Sequence, residues 1–165
     1  MGKCFASRLM VSGLIAAGLI GMASGAVTAA CAPDAVEFRW TGGQARFSVE
    51  IADTVAKREH GLMDRAHLPA SAGMLFVYSA PEHAYYWMKN TLIPLDMVFA
   101  DQTGRVTGVH SDAVPGDLTP IDGGEGVQYV LEINGGLASR MGIVAGAELR
   151  AQAVDPAKAA WRCTD

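Results

Sequence analysis

The stretch Trp87-Met88-Lys89-Asn90-Thr91-Leu92-Ile93-Pro94-Leu95-Asp96-Met97-Val98-Phe99 decides how this chain is read. It is an apolar run that holds a lysine, an asparagine and an aspartate. Burying a charge or an amide costs several kcal/mol unless it is paired, so these groups belong either to a buried polar network or to a site. Residues 91–94 read as a four-residue loop between two strands, 85–90 and 95–100. In that register Asn90 faces Leu95, Lys89 faces Asp96, Met88 faces Met97 and Trp87 faces Val98. One face carries Trp87, Lys89 and Asp96; the other carries Tyr86, Met88, Met97 and Phe99. Opposite charges across such a ladder contribute up to about 1 kcal/mol.

Outward from the hairpin, strands dominate. Val36, Phe38 and Trp40 alternate with polar residues, Gly42-Gly43 turns the chain, and Phe47, Val49 and Ile51 alternate again. This is a hairpin with one face in the core. Asp53 or Thr54 caps a short helix over residues 55–60 that Gly61 stops. Residues 74–78 read as a buried strand and 105–110 as another after the turn at 101–104. Residues 115–126, with two prolines and four glycines, read as loop. Residues 128–133 form a strand, 136–141 a short helix and 148–154 a last strand. The expected fold is α+β: a mostly antiparallel, rolled or barrel-like sheet with two short helices.

The N-terminus reads as an address. Lys3 and Arg8 precede the uncharged apolar stretch 9–22, and small residues follow. Such a segment is a secretory signal peptide rather than a membrane span. Val27-Thr28-Ala29 fits cleavage after Ala29, leaving 30–165 as a single domain. A lipid anchor on Cys31 is disfavoured, because Thr28 stands where a lipobox has a large aliphatic residue. The expected location is periplasmic or secreted. Cys4 leaves with the leader, and Cys31 and Cys163 then pair as a disulfide. The full chain carries a net charge of −4; losing Lys3 and Arg8 brings it to −6. That balance argues against nucleic acid as a partner.

Four motifs occur in order: Arg58-x-x-Gly61-Leu62-Met63-x-Arg65, Gly73-Met74-Leu75-Phe76, Trp87-Met88-Lys89-Asn90-Thr91-x-Ile93-Pro94-Leu95-Asp96, and Val130-Leu131-Glu132-Ile133-Asn134-Gly135-Gly136. Together they resemble the domain of unknown function 192 family, small bacterial and archaeal proteins that are often exported. The resemblance covers about residues 47–149. It implies a compact α+β domain and no particular reaction.

The site is therefore read from side-chain chemistry. The candidate ligand-binding residues are Arg58, Arg65, Trp87, Lys89, Asn90, Asp96 and Glu132. Lys, Arg and Asn donate well to a carboxylate or another small anion. The favoured reading is a binding module for a small anionic or carboxylate-bearing ligand, without turnover. One alternative is a structural or interaction domain in which Lys89–Asp96 and Arg58–Glu132 pairs only fix the fold. Another is an enzyme with Asp96 and Glu132 as an acid/base pair. No cofactor or metal is expected. Gly61 interrupts the His60, Asp64, His67 spacing, and Met63, Met74, Met88 and Met97 read as core filler. There is no Gly-x-Ser-x-Gly elbow, and Gly123-Gly124-Glu125-Gly126 lacks the ending of a phosphate loop.

Overall fold

In a computed structural model that describes residues 31–165, the chain builds one seven-stranded sheet and two short helices. The expected leader and its cleavage point lie outside the described residues. The hairpin of β1 (Ala35–Trp40) and β2 (Gly43–Ala52) forms as the alternation dictates, with Trp40 opposite Gly43. Val36, Phe38, Phe47 and Val49 are buried.

Helix α1 (Val55–His60) follows. The Thr54 side chain accepts from the Lys57 N–H, and Gly61 ends the helix at φ 53°. A side chain at Gly61 would suffer twice. The left-handed conformation disfavours it, and an added Cβ would lie 3.2 Å from the Phe76 ring. The helix returns the chain so that β3 (Ala72–Tyr86) pairs with β2 in parallel.

All remaining named pairs are antiparallel. β4 (Leu95–Asp101) lies between β5 (Val106–Ala113) and β6 (Ile121–Asn134), and β3 flanks β6 on its other side. β7 (Glu148–Arg150) adds to β1, giving the order β5-β4-β6-β3-β2-β1-β7. The sheet curls until its edges meet at one end. Arg105, just before β5, bridges to Glu148 of β7, and the Leu149 N–H donates to the Gly104 carbonyl at 2.7 Å. The rolled, mostly antiparallel expectation thus describes the sheet at the coarse level, with one parallel pair inside it.

Three expectations need correction. β3 is one long strand rather than two. It runs through Pro81 by shifting register between Val77 and Glu82 and twice more before Tyr85. Its far half pairs with residues 121–127, so the expected loop 115–126 is already strand from Ile121. Glycine serves a sheet position there: a Cβ at Gly123 would meet the Phe99 ring at 2.4 Å. Third, residues 87–94 are a loop and not the two sides of a hairpin. Loop 114–120 clamps them: the Met88 N–H donates to the Asp117 carbonyl and the Gly116 N–H to the Met88 carbonyl. Asn90 is left-handed at φ 53°, which ends any strand reaching it.

Each face of the sheet has its own core. Phe38, Phe47, Leu75, Val98, Leu131 and Ile133 fill one, together with Ala138 of α2 (Leu137–Met141). Leu62, Met74, Phe76, Met88, Met97 and Phe99 fill the other. Cys31 and Cys163 form a disulfide with their Cα atoms 5.2 Å apart, tying together the two ends of the described chain. No helix among the described residues is long and apolar enough to cross a membrane.

Candidate functional site

Alternation along β4 and β6 sends the two carboxylates of interest to opposite sides. Asp96 lies opposite Ile133, and Met97 lies opposite Glu132. Residues facing each other across a ladder share a face, and their chain neighbours take the other. Asp96 therefore joins the side of Val98 and Ile133, and Glu132 the side of Met97 and Met74. The alternative of an Asp96–Glu132 acid/base pair is excluded by this geometry.

Asp96 is fully buried and fully occupied. Its Oδ1 accepts from the Asp112 N–H at 2.8 Å and the Gly136 N–H at 2.7 Å; its Oδ2 accepts from the Ala138 N–H at 2.7 Å. It binds the end of β5 to the first turn of α2, where backbone N–H groups have no helical partner. Neighbouring motif residues complete this knot. The Gly135 N–H donates to the Pro94 carbonyl, and a Cβ at Gly135 would come within 2.6 Å of Asp112 Oδ1 and 2.9 Å of Pro94. Asn134 donates to the carbonyls of Leu68 and Pro69. The Lys89–Asp96 ladder is thus absent; Lys89 lies in the 87–94 loop on the other side.

On that other side lies a cleft of about 570 Å³. Five of the seven expected site residues line it: Arg58, Trp87, Lys89, Asn90 and Glu132. Arg65 does not. Its guanidinium grips both oxygens of Glu50 on the exposed surface and holds that carboxyl below its ordinary range. Asp96 does not line it either, for the reason of alternation.

The cleft has an aromatic wall with cations resting on it. Arg58 Cζ sits 4.8 Å from the Tyr78 ring centre, and Arg58 Nη1 donates to the Val77 carbonyl at 3.0 Å. Lys89 Nζ sits 5.3 Å from the Trp87 ring. Such contacts are worth about 0.5–1 kcal/mol at exposed sites, enough to favour one placement of a long side chain. Trp87 and Tyr85 stay 52% and 60% exposed, leaving apolar surface at the mouth. The corner after α1 is tied to the Asn90 loop by the Asp64 N–H, which donates to the Asn90 carbonyl at 2.8 Å.

Deeper in, Tyr78 and Tyr86 share a 2.8 Å hydrogen bond between hydroxyls, and burial raises the pKa of both. Glu132 is 5% exposed. Its carboxyl has no hydrogen-bond or charge partner among the described residues, and desolvation pushes it up to about 8. No side-chain polar atom among the described residues is both sealed from solvent and unpartnered, so the Glu132 oxygens reach the cleft. The expected Arg58–Glu132 ion pair is replaced by Arg58 on Tyr78 and a lone Glu132. Glu59 and His60, at the end of α1, add further ionisable groups to the lining.

Sequence reasoning missed Tyr78, Tyr86, Glu59 and His60. Period-two alternation from Met74 through Phe76 reaches Tyr78 and would have found it. Tyr86 required knowledge of the β3 register shifts. No metal-binding group of three or more His, Cys, Asp or Glu occurs among the described residues.

Known proteins extend this description. A crystal structure of a protein of unknown function from Novosphingobium aromaticivorans is 41% identical, with a TM-score of 0.69 over 70% of this chain and 83% of that one. A crystal structure from Sinorhizobium meliloti, described as a candidate transcription regulator, is 36% identical, with a TM-score of 0.71 over 75% of this chain and 97% of that one. No curated protein matches the chain. The pattern of a family described as Uncharacterized ACR matches residues 37–151. The chain belongs to that family, the domain of unknown function 192 family.

Proposed function

We propose that the protein is a binding module that takes a small carboxylate-bearing ligand into the cleft beneath α1. The observation that carries this reading is the convergence of Arg58, Lys89 and Asn90 on one aromatic-walled cleft, with both cations already seated on rings. A guanidinium and an ammonium provide charge-assisted donors for a carboxylate. The aromatic wall offers an apolar surface for the rest of the molecule, as small-ligand sites do. The volume suits a ligand of modest size.

The leader-like sequence and the Cys31–Cys163 disulfide support export, since disulfides persist in oxidising compartments. The disulfide also engages the sulfur that a lipid anchor on Cys31 would need. Intact mass of the exported protein, before and after reduction, checks both: a free N-terminal Ala30 and one disulfide are expected, and an uncleaved or acylated chain contradicts them.

The binding reading is tested by calorimetry with 3-phenylpropanoate and benzoate against their uncharged amides. The acids should bind and the amides should not, and Arg58→Met with Lys89→Met should abolish the difference. Equal binding of acid and amide, or an unaffected double variant, contradicts the reading.

A further inference from the structure

We propose that the ligand is a zwitterion whose carboxylate lies on Arg58 and Lys89 and whose ammonium lies on Glu132; this rests on the carboxylate-binding reading above. A plain carboxylate would leave Glu132 without a counter-charge. Glu132 is 5% exposed, lines the cleft and has no partner among the described residues. A buried carboxyl without a partner is a standing cost. An anion entering the cleft can accept at most the single O–H of a protonated carboxyl and brings no donor for its oxygens. An ammonium supplies the missing charge and the missing N–H donors together.

The surroundings fit a cation at depth. Tyr78, Tyr85, Tyr86 and Trp87 line the same cleft, and aromatic faces attract ammonium groups. The ionisable groups are also of two kinds, basic Arg58 and Lys89 and acidic Glu59 and Glu132. A cleft with cations on the outer loop and helix and a carboxyl on the sheet beneath them is bipolar, as an amino acid or a short peptide is.

One consequence separates this class from simple acids. Burial pushes the Glu132 carboxyl up to about 8, so it holds its proton at neutral pH. Met74 and Met97 flank it on the neighbouring strands and do not titrate. The titratable or charged groups around the cleft are Arg58, Glu59 and His60 from α1, Tyr78, Tyr85 and Tyr86 from β3, and Lys89 from the loop. Pairing with an ammonium favours the ionised carboxylate. At pH 7, Glu132–COOH and the ligand's –NH3+ therefore become a carboxylate–ammonium pair, and one proton leaves to solvent. The ligand keeps all its protons, so charge balances.

The test titrates phenylalanine, leucine and methionine, and the dipeptides of each with glycine, into the wild-type protein. Each amino acid is set beside its deaminated counterpart: 3-phenylpropanoate, 4-methylpentanoate or 4-(methylthio)butanoate. Calorimetry at pH 7 in buffers of different ionisation enthalpy counts protons. At least one zwitterion should bind about tenfold tighter than its deaminated partner and release about one proton. Glu132→Gln should erase both the preference and the release. If the deaminated acids bind as tightly, with no proton released, this inference is overturned while the carboxylate reading stands. If no compound of either kind binds, both are overturned.

Discussion

Asp96 on β4 and Glu132 on β6 stand one step out of register on adjacent strands, and both are buried acids in apolar surroundings. Asp96 faces the side where α2 packs and accepts three backbone N–H bonds. Glu132 faces the cleft and accepts none from the described residues. Both residues are buried, but only the Glu132 oxygens reach the cleft, and the hydrogen-bond count differs completely. A buried carboxyl becomes structural or available for binding according to what the opposite element offers. Beyond β4, a turn and a helix start present free N–H groups. Above β6, α1 and the 87–94 loop present side chains across an open gap.

The largest expected effect falls on the satisfied side. Asp96→Ala strands three backbone donors in a dry knot and should cost about 3–5 kcal/mol in denaturant unfolding. A loss below about 1 kcal/mol would mean that the knot does not depend on this carboxylate.

Glu132→Gln should move stability the other way. The carboxyl is neutral in both folded and unfolded chains below pH 4.5. Between about 4.5 and about 8 the unfolded chain releases its proton and the folded chain keeps it, so wild-type stability falls as pH rises through that window. The glutamine variant lacks this loss. It should match the wild type near pH 4 and exceed it by about 2–4 kcal/mol at pH 8. Loss of stability at pH 8 would reveal a partner for Glu132 and break the contrast with Asp96.

A smaller effect sharpens the same contrast within the cleft. Tyr86→Phe removes the 2.8 Å bond to Tyr78 and leaves the ring in place. It should cost about 1 kcal/mol and leave proton uptake by Glu132 intact. The smallest effect belongs to Arg65→Ala, which breaks a partly exposed pair with Glu50. It should cost under about 1 kcal/mol and leave carboxylate binding unchanged. Weakened binding would bring Arg65 back into the site.

Local signals were legible in the sequence wherever local physics decides. Period-two alternation yields the β1–β2 hairpin, and the Thr54 cap with Gly61 yields α1 almost to the residue. The 87–94 loop was misread because its composition suits a strand. Its true path depends on backbone bonds to Asp117 and Asp64, set by parts of the chain distant in sequence. The glycines at 123–126 look like loop until the Phe99 ring is placed against Gly123. Five of the seven candidate residues line the cleft, and lysine, arginine and glutamate were conspicuous there because they are costly in apolar runs. Which of them meet was not legible, since one strand step separates Asp96's side of the sheet from that of Glu132.

Glu132 stands as a proton-holding carboxyl open to the cleft, without a partner among the described residues. Carbon-13 NMR of the glutamate side-chain carboxyls, followed from pH 3 to pH 10 with Glu132→Gln to assign the resonance, tests it most directly. The account predicts one glutamate titrating near pH 8, absent from the variant. A Glu132 resonance that titrates near its ordinary 4.5 would contradict it.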